Sequence, residues 1–110
     1  MSNSDIVHQF MTAFQTQDRE LAESLAADDF HFTSPQDAHI DRAEWFEKCF
    51  PSVGHFTDHR LLQVIEADDD LVLLRYEYEL ENGERYRNCE AQTVRDGQIH
   101  EVEVYFGGQV

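Results

Sequence analysis

Positive charge is what this 110-residue sequence has least of. Lys48 is its only lysine, Lys and Arg together number 8, and 23 Asp and Glu leave a formal net charge of −15 at pH 7. Such a chain repels phosphate backbones and anionic lipid, which argues against nucleic-acid binding and against a polybasic membrane anchor. No stretch approaches the ~20 apolar residues of a membrane span. The opening MSNSDIVHQF lacks both a basic start and an apolar core, so it does not read as a signal peptide. Cysteine is scarce as well. Cys49 and Cys89 are too few for a disulfide framework, and they read as packing residues of a protein in the reducing cytoplasm.

The sequence also lacks the usual cofactor and nucleophile signatures. It has no Gly-rich phosphate loop, no Ser-His-Asp order and no Cys-His nucleophile motif. Asp68 to Asp70 is an acidic turn without the ligand spacing or closing Glu of an EF-hand. His55 and His59 flank Asp58, but on a strand they stand about 13 Å apart, too far to share one ion. A third ligand is missing too. Neither a metal nor any other cofactor is expected.

What the sequence does have is a core and a layout. The apolar fraction is 41%, and eight Phe, four Tyr and one Trp supply large units of buried area. The length suits one domain over residues 1–110 with one core. Ser4 is positioned to cap a first helix in which Ile6, Phe10 and Phe14 recur at helical spacing. Asp18 caps a second helix with Leu21, Ala22 and Leu25. Phe30 to Ser34 alternates as a short strand and stops at Pro35. Asp41 with Glu44 opens a third helix holding Trp45, Phe46, Cys49 and Phe50, which Pro51 ends. From His55 the period becomes two. Strands are expected over His55–Glu66, Leu71–Leu80, Tyr86–Val94 and Gln98–Phe106, joined by acidic and Gly-containing turns. Helices followed by an antiparallel meander make an α+β domain.

Turn lengths set which side chains share a face. A two-residue turn at Asn82-Gly83 places Arg75 opposite Glu90, Glu77 opposite Asn88 and Leu73 opposite Gln92. A three-residue loop at Arg95–Gly97 places Gln92 opposite His100, Glu90 opposite Val102 and Asn88 opposite Val104. One face then carries Arg75, Glu77, Asn88, Glu90, Gln92, His100, Val102, Val104 and Phe106. The other carries Leu74, Tyr76, Tyr78, Cys89, Ala91 and Tyr105, with Arg87, Glu101 and Glu103. A bulge would exchange the faces beyond it.

Ala27-Asp28-Asp29-Phe30 through Thr33-Ser34-Pro35, Asp41-Arg42, Arg87-Asn88-Cys89-Glu90, Val94 to Ile99 and Val102 to Gly107 carry a resemblance. The chain resembles the nuclear transport factor 2-like superfamily, and within it the small SnoaL-like (polyketide-cyclase-like) proteins. The resemblance implies a cone: a strongly curved antiparallel sheet around three N-terminal helices, with a pocket in the mouth. It also implies a homodimer formed through the outer sheet face. Superfamily members include ketosteroid isomerase, scytalone dehydratase, limonene-epoxide hydrolase and polyketide cyclases. Against ketosteroid isomerase, the general-base Asp falls at Ser34 and the oxyanion-hole Tyr at Phe10. The second, protonated Asp falls at Glu90 or Gln92. Two of three groups are lost, so steroid isomerisation is not implied, and no match to the dehydratase or epoxide hydrolase sets is found.

Glu90 is the expected catalytic group, because a carboxyl in an apolar cone is pushed towards its neutral form. The alternative is that Arg75 neutralises it and the pair is structural. Asn88, Gln92 and His100 are positioned to orient a ligand carbonyl or hydroxyl, or else to satisfy one another as an internal network. Phe10, Phe14, Ser34, Trp45, Arg75, Val102 and Phe106 complete the expected ligand wall. A small, mostly apolar organic molecule is the expected ligand, with isomerase, dehydratase or cyclase chemistry. The competing reading is a non-catalytic binding or interaction module with a filled pocket. His31 is expected on the outer face or at an interface. Leu74, Tyr76, Tyr78, Cys89, Ala91 and Tyr105 form the expected dimer patch.

Overall fold

A computed structural model describes residues 1–110. Helix α1 spans Asn3–Thr16 and α2 spans Arg19–Leu25. Strands β1 (Ala26–Thr33) and β2 (Ile40–Asp41) precede α3 (Arg42–Lys48) and a 3-10 segment, Phe50–His55. Four long strands follow: β3 (Phe56–Glu66), β4 (Leu71–Leu80), β5 (Arg85–Arg95) and β6 (Gln98–Gln109). The cap of α1 is Ser2, not Ser4. Ser2 Oγ accepts from the Asp5 amide at 3.2 Å while Asp5 Oδ2 accepts from the Ser2 amide at 3.2 Å. That reciprocal box needs an acidic residue three places on, which Ser2 has and Ser4 lacks. Asp18 and Asp41 cap α2 and α3 as expected. Helix α3 ends at Lys48, and Pro51 sits in the first turn of the 3-10 segment.

The six strands form one sheet in the order β2-β1-β6-β5-β4-β3. It is mixed, not wholly antiparallel as expected, because β1 runs parallel to β6. A bulge between Ala26 and His31 interrupts this pairing.

Both hairpin turns differ from expectation by one residue. The β4–β5 loop has three residues, Glu81 to Gly83: Leu80 bonds Glu84 and Gly83 bonds Leu80, each at 2.9 Å. Gly83 has φ 87, the left-handed conformation that closes a three-residue hairpin loop. The β5–β6 turn has two residues, Asp96 (φ 53) and Gly97 (φ 74), and a bulge between Thr93 and Val94 restores the extra residue. The second change leaves β5 and β6 in the expected relative facing. The first turns β4 over. Leu74 stands opposite Glu90, Tyr76 opposite Asn88, and Arg75 opposite Cys89.

The core lies between the helices and one sheet face. Ile6, Val7, Phe10 and Met11 of α1 meet Val72, Leu74 and Tyr76 of β4, Val94 of β5, and Ile99 and Val102 of β6. Phe30 and Val7 are completely buried. Phe10, Phe30 and Trp45 pack ring on ring at 5.3–6.0 Å. Truncating a ring such as Phe30 to Ala costs roughly 3–5 kcal/mol.

Candidate functional site

The aromatic layer does not fill the space under the sheet. A cavity of about 390 Å³ remains, within the usual size of a small-molecule site. Helices supply Phe10, Met11, Phe14 and Trp45, and β1 supplies Phe32. The sheet supplies Phe56, His59, Tyr76, Tyr78, Asn88, Glu90, Val102 and Val104. Ser34, Asp37, Lys48 and Cys49 border it, and the exposure of Gln36 and Lys48 marks this end as the open one.

Glu90 is the only acidic residue in the core and is 6% exposed. Tyr76 Oη donates to Glu90 Oε1 at 3.0 Å, and Gln92 Nε2 donates to Glu90 Oε2 at 2.6 Å. Behind them Asn88 Nδ2 donates to Tyr76 Oη at 3.4 Å, and Asn88 Oδ1 accepts from the Gly107 amide at 3.3 Å. Burial raises the Glu90 carboxyl above its ordinary range, against the smaller opposite pull of Gln92 and Tyr76. Burial, followed by the adjacent Glu90, likewise holds the Tyr76 phenol well above 10.0. Gln92 is completely buried, and its Oε1 has no partner. A buried carboxyl with no cation beside it, its pKa raised by burial, is the kind of group suited to exchange a proton with a bound molecule.

His59 is the second polar group on this wall. Gln15 Nε2 donates to His59 Nδ1 at 2.8 Å, which leaves the ring hydrogen on Nε2. The ring stacks on Tyr76 at 4.9 Å and on Phe56 at 5.8 Å. Burial lowers its pKa to about 4, so the imidazole is neutral at physiological pH. At the open end Asp37 Oδ2 accepts from Ser34 Oγ at 3.4 Å and from Cys49 Sγ at 3.8 Å. Burial, and then Asp37, push the Cys49 thiol up to about 11, which makes it a poor nucleophile.

Of the expected ligand wall, Phe10, Phe14, Ser34, Trp45, Asn88, Glu90 and Val102 border the cavity. Gln92 does not border it and reaches it through Glu90 and Met11. Arg75 does not reach it. Its side chain lies on the outer face and donates to Gln63 at 3.1 Å, so the expected Arg75–Glu90 pair does not form. His100 pairs with Asp29 at 2.7 Å away from the cavity, and Phe106 is exposed on the far part of β6. The expected outer patch is corrected by the same turn. Leu74, Tyr76 and Tyr78 face inward, while Leu73 and Ile65 take the exposed positions beside Cys89 and Tyr105. His59, Tyr76, Tyr78 and Asp37 were missed as site residues. The signal for the tyrosines was in plain view: Leu74, Tyr76 and Tyr78 bury more favourably than Arg75 and Glu77.

Three helices on a six-stranded mixed sheet, with a cavity between the layers, define the cystatin-like architecture of nuclear transport factor 2-like proteins. The chain belongs to the SnoaL-like domain family, whose profile matches residues 7–102. None of the curated proteins matches it. Among solved structures, a protein of unknown function with cystatin-like fold from Xanthomonas campestris superposes with TM-score 0.83 at 22% identity, covering 99% of this chain and 93% of that one. Wild-type IdmH from Streptomyces antibioticus, described as a candidate polyketide cyclase, gives TM-score 0.73 at 21% identity over 94% and 91% of the two chains. An epoxide hydrolase like limonene-epoxide hydrolase, from M. tuberculosis, gives 0.75 at 19% over 93% and 76%. At these identities the likeness is one of fold.

Proposed function

We propose that the chain binds a small, mostly apolar organic molecule in this cavity, at the mouth of a cone formed by the curved sheet. Glu90 then acts on the molecule as a hydrogen-bond donor and general acid, in chemistry of the isomerase, dehydratase or cyclase kind. The observation that carries this is the Glu90 carboxyl, buried without a cation in the wall of a cavity of about 390 Å³. A developing oxyanion placed against a protonated Glu90 would gain a donor in a water-poor site, where such a bond counts most, while Tyr76 and Gln92 hold the carboxyl in place. The exposed Leu62, Ile65, Leu73 and Tyr105 on the outer face support a homodimer formed there. The two unpaired thiols fit a reducing compartment, the cytoplasm.

The alternative is a binding module without catalysis. The open cavity favours a ligand over a self-filled core, and it leaves turnover to experiment. Thermal melting of the purified protein against a library of small hydrophobic compounds tests the reading. A ligand at about 100 times its Kd stabilises the folded state by roughly 2.7 kcal/mol. Hits should protect the parent and lose most of that protection with Glu90→Gln. A library that protects neither protein removes the proposal. Protection that Glu90→Gln leaves intact assigns the cavity to binding alone.

A further inference from the structure

The open end of the cavity has a charge pattern that the deep end does not explain. Asp37 is half-buried there, and its two side-chain donors, Ser34 and Cys49, are neutral. No lysine, arginine or histidine lies within ion-pair distance of it; the cations that do pair engage Glu23, Glu44, Asp58, Glu77, Glu79, Glu101 and Asp29 instead. Lys48 is the one cation on the cavity wall, and Glu44 already holds it at 2.7 Å. Glu44, Asp37 and Glu47 all act on that ammonium, so this end carries three carboxylates to one positive charge. The cavity between is walled by aromatic rings, among them Phe14, Phe32, Trp45, Phe56 and Tyr78. A ring face attracts a cation within about 6 Å of its centroid. An anion entering this cavity finds no free counter-ion. A neutral molecule leaves Asp37 with no cation in contact. A protonated amine satisfies both the carboxylate and the rings.

We propose that the ligand class of this cavity is an apolar molecule bearing a basic amine, whose ammonium group is held by Asp37 at the open end while its body lies among the rings. This rests on the reading of the cavity as a ligand site, and it goes beyond that reading by assigning the ligand's charge and orientation. Asp37 is a specificity residue in this assignment, and Glu90 keeps its role at the other end.

Three probes with one body and three ends make the test: 4-phenylbutylamine, 4-phenylbutan-1-ol and 4-phenylbutyrate. Calorimetry gives the three Kd values, and Trp45, the sole tryptophan and part of the wall, reports by fluorescence that binding is in the cavity. The amine should bind about tenfold or more tighter than the alcohol, because the ammonium brings a full positive charge to the Asp37 carboxylate and the hydroxyl does not. The carboxylate should bind least. Asp37→Asn should bring the amine close to the alcohol while leaving the alcohol's Kd within about twofold. Asp96→Asn, in the distant β5–β6 turn, controls for the chain's overall negative field and should preserve the preference. Equal binding of amine and alcohol, or an amine preference that survives Asp37→Asn, overturns the assignment and leaves the cavity reading intact. Tightest binding by the carboxylate overturns it in favour of Lys48. Failure of all three probes overturns the assignment and the cavity reading together.

Discussion

Tyr76 donates its hydroxyl to Glu90 at 3.0 Å, and this contact exists because the β4–β5 loop holds three residues rather than two. The extra residue turns Arg75 to the outer face and puts an uncharged phenol where a guanidinium would have stood. A paired carboxylate and a buried, protonatable carboxyl are different chemical objects. One loop residue decides between them.

Glu90→Gln should fold, since the new amide oxygen can accept from Tyr76 and its nitrogen can donate to Gln92 Oε1 once the Gln92 amide turns over. Its stability relative to the parent should rise with pH. The folded state raises the Glu90 pKa, so this group contributes stability below its unfolded value of about 4.3, and that contribution is lost as pH rises through the folded value. Melting curves of both proteins between pH 4 and 8 check this. A constant difference across that range would show that Glu90 is not held in its neutral form.

Arg75→Met should change stability by no more than about 0.5 kcal/mol, the usual range for an exposed side chain. Breaking a buried ion pair would cost roughly 3–5 kcal/mol instead. Denaturant titration of the single variant separates the two, and a large loss would put Arg75 back against Glu90.

His59 makes the opposite contribution to pH dependence. Its folded pKa of about 4 lies below the ordinary histidine value of 6.5, so the unfolded chain binds the proton more readily in that window. Stability present above pH 6.5 should therefore fall as the pH drops towards 4, by up to about 3 kcal/mol from this residue. His59→Phe keeps a ring against Tyr76 and Phe56 and should flatten that slope. An unchanged acid slope would place the loss in other groups.

The outer face should hold the proposed dimer together through Leu73 and Tyr105, which are 44% and 58% exposed on the single chain. Leu73→Arg places a charge in the middle of that apolar surface, and its desolvation on association would be uncompensated. Sedimentation at micromolar concentration should show a dimer for the parent and a monomer for the variant, with the melting temperature of the isolated chain little altered. A monomeric parent ends the idea.

The helix starts at Asp18 and Asp41, the change of period near residue 55 and the hydrophobic stripe of α1 were legible in the sequence because each is a local pattern. Phe10, Phe14 and Trp45 were recognisable as both core and cavity wall, since large rings at helical spacing must face the sheet. Glu90 was legible too, as the carboxyl on the same strand face as Asn88 and Gln92, a relation that depends only on the alternation within β5.

Everything that required two strands to be set against each other was decided by tertiary structure. Asn82-Gly83 is compatible with a two- or a three-residue loop, and the choice fell to burial: Leu74, Tyr76 and Tyr78 gain more from the core than Arg75 and Glu77 could. The parallel pairing of β1 with β6 joins segments some seventy residues apart and has no local signature. The same holds for Asp37, which lies between β1 and β2 in an unremarkable stretch of sequence and reaches the cavity only because α3 and the 3-10 segment fold over it. Composition and alternation determined the layers of this protein and one residue of its site; whether that carboxyl meets a guanidinium or a phenol was settled by a loop length that only packing could select.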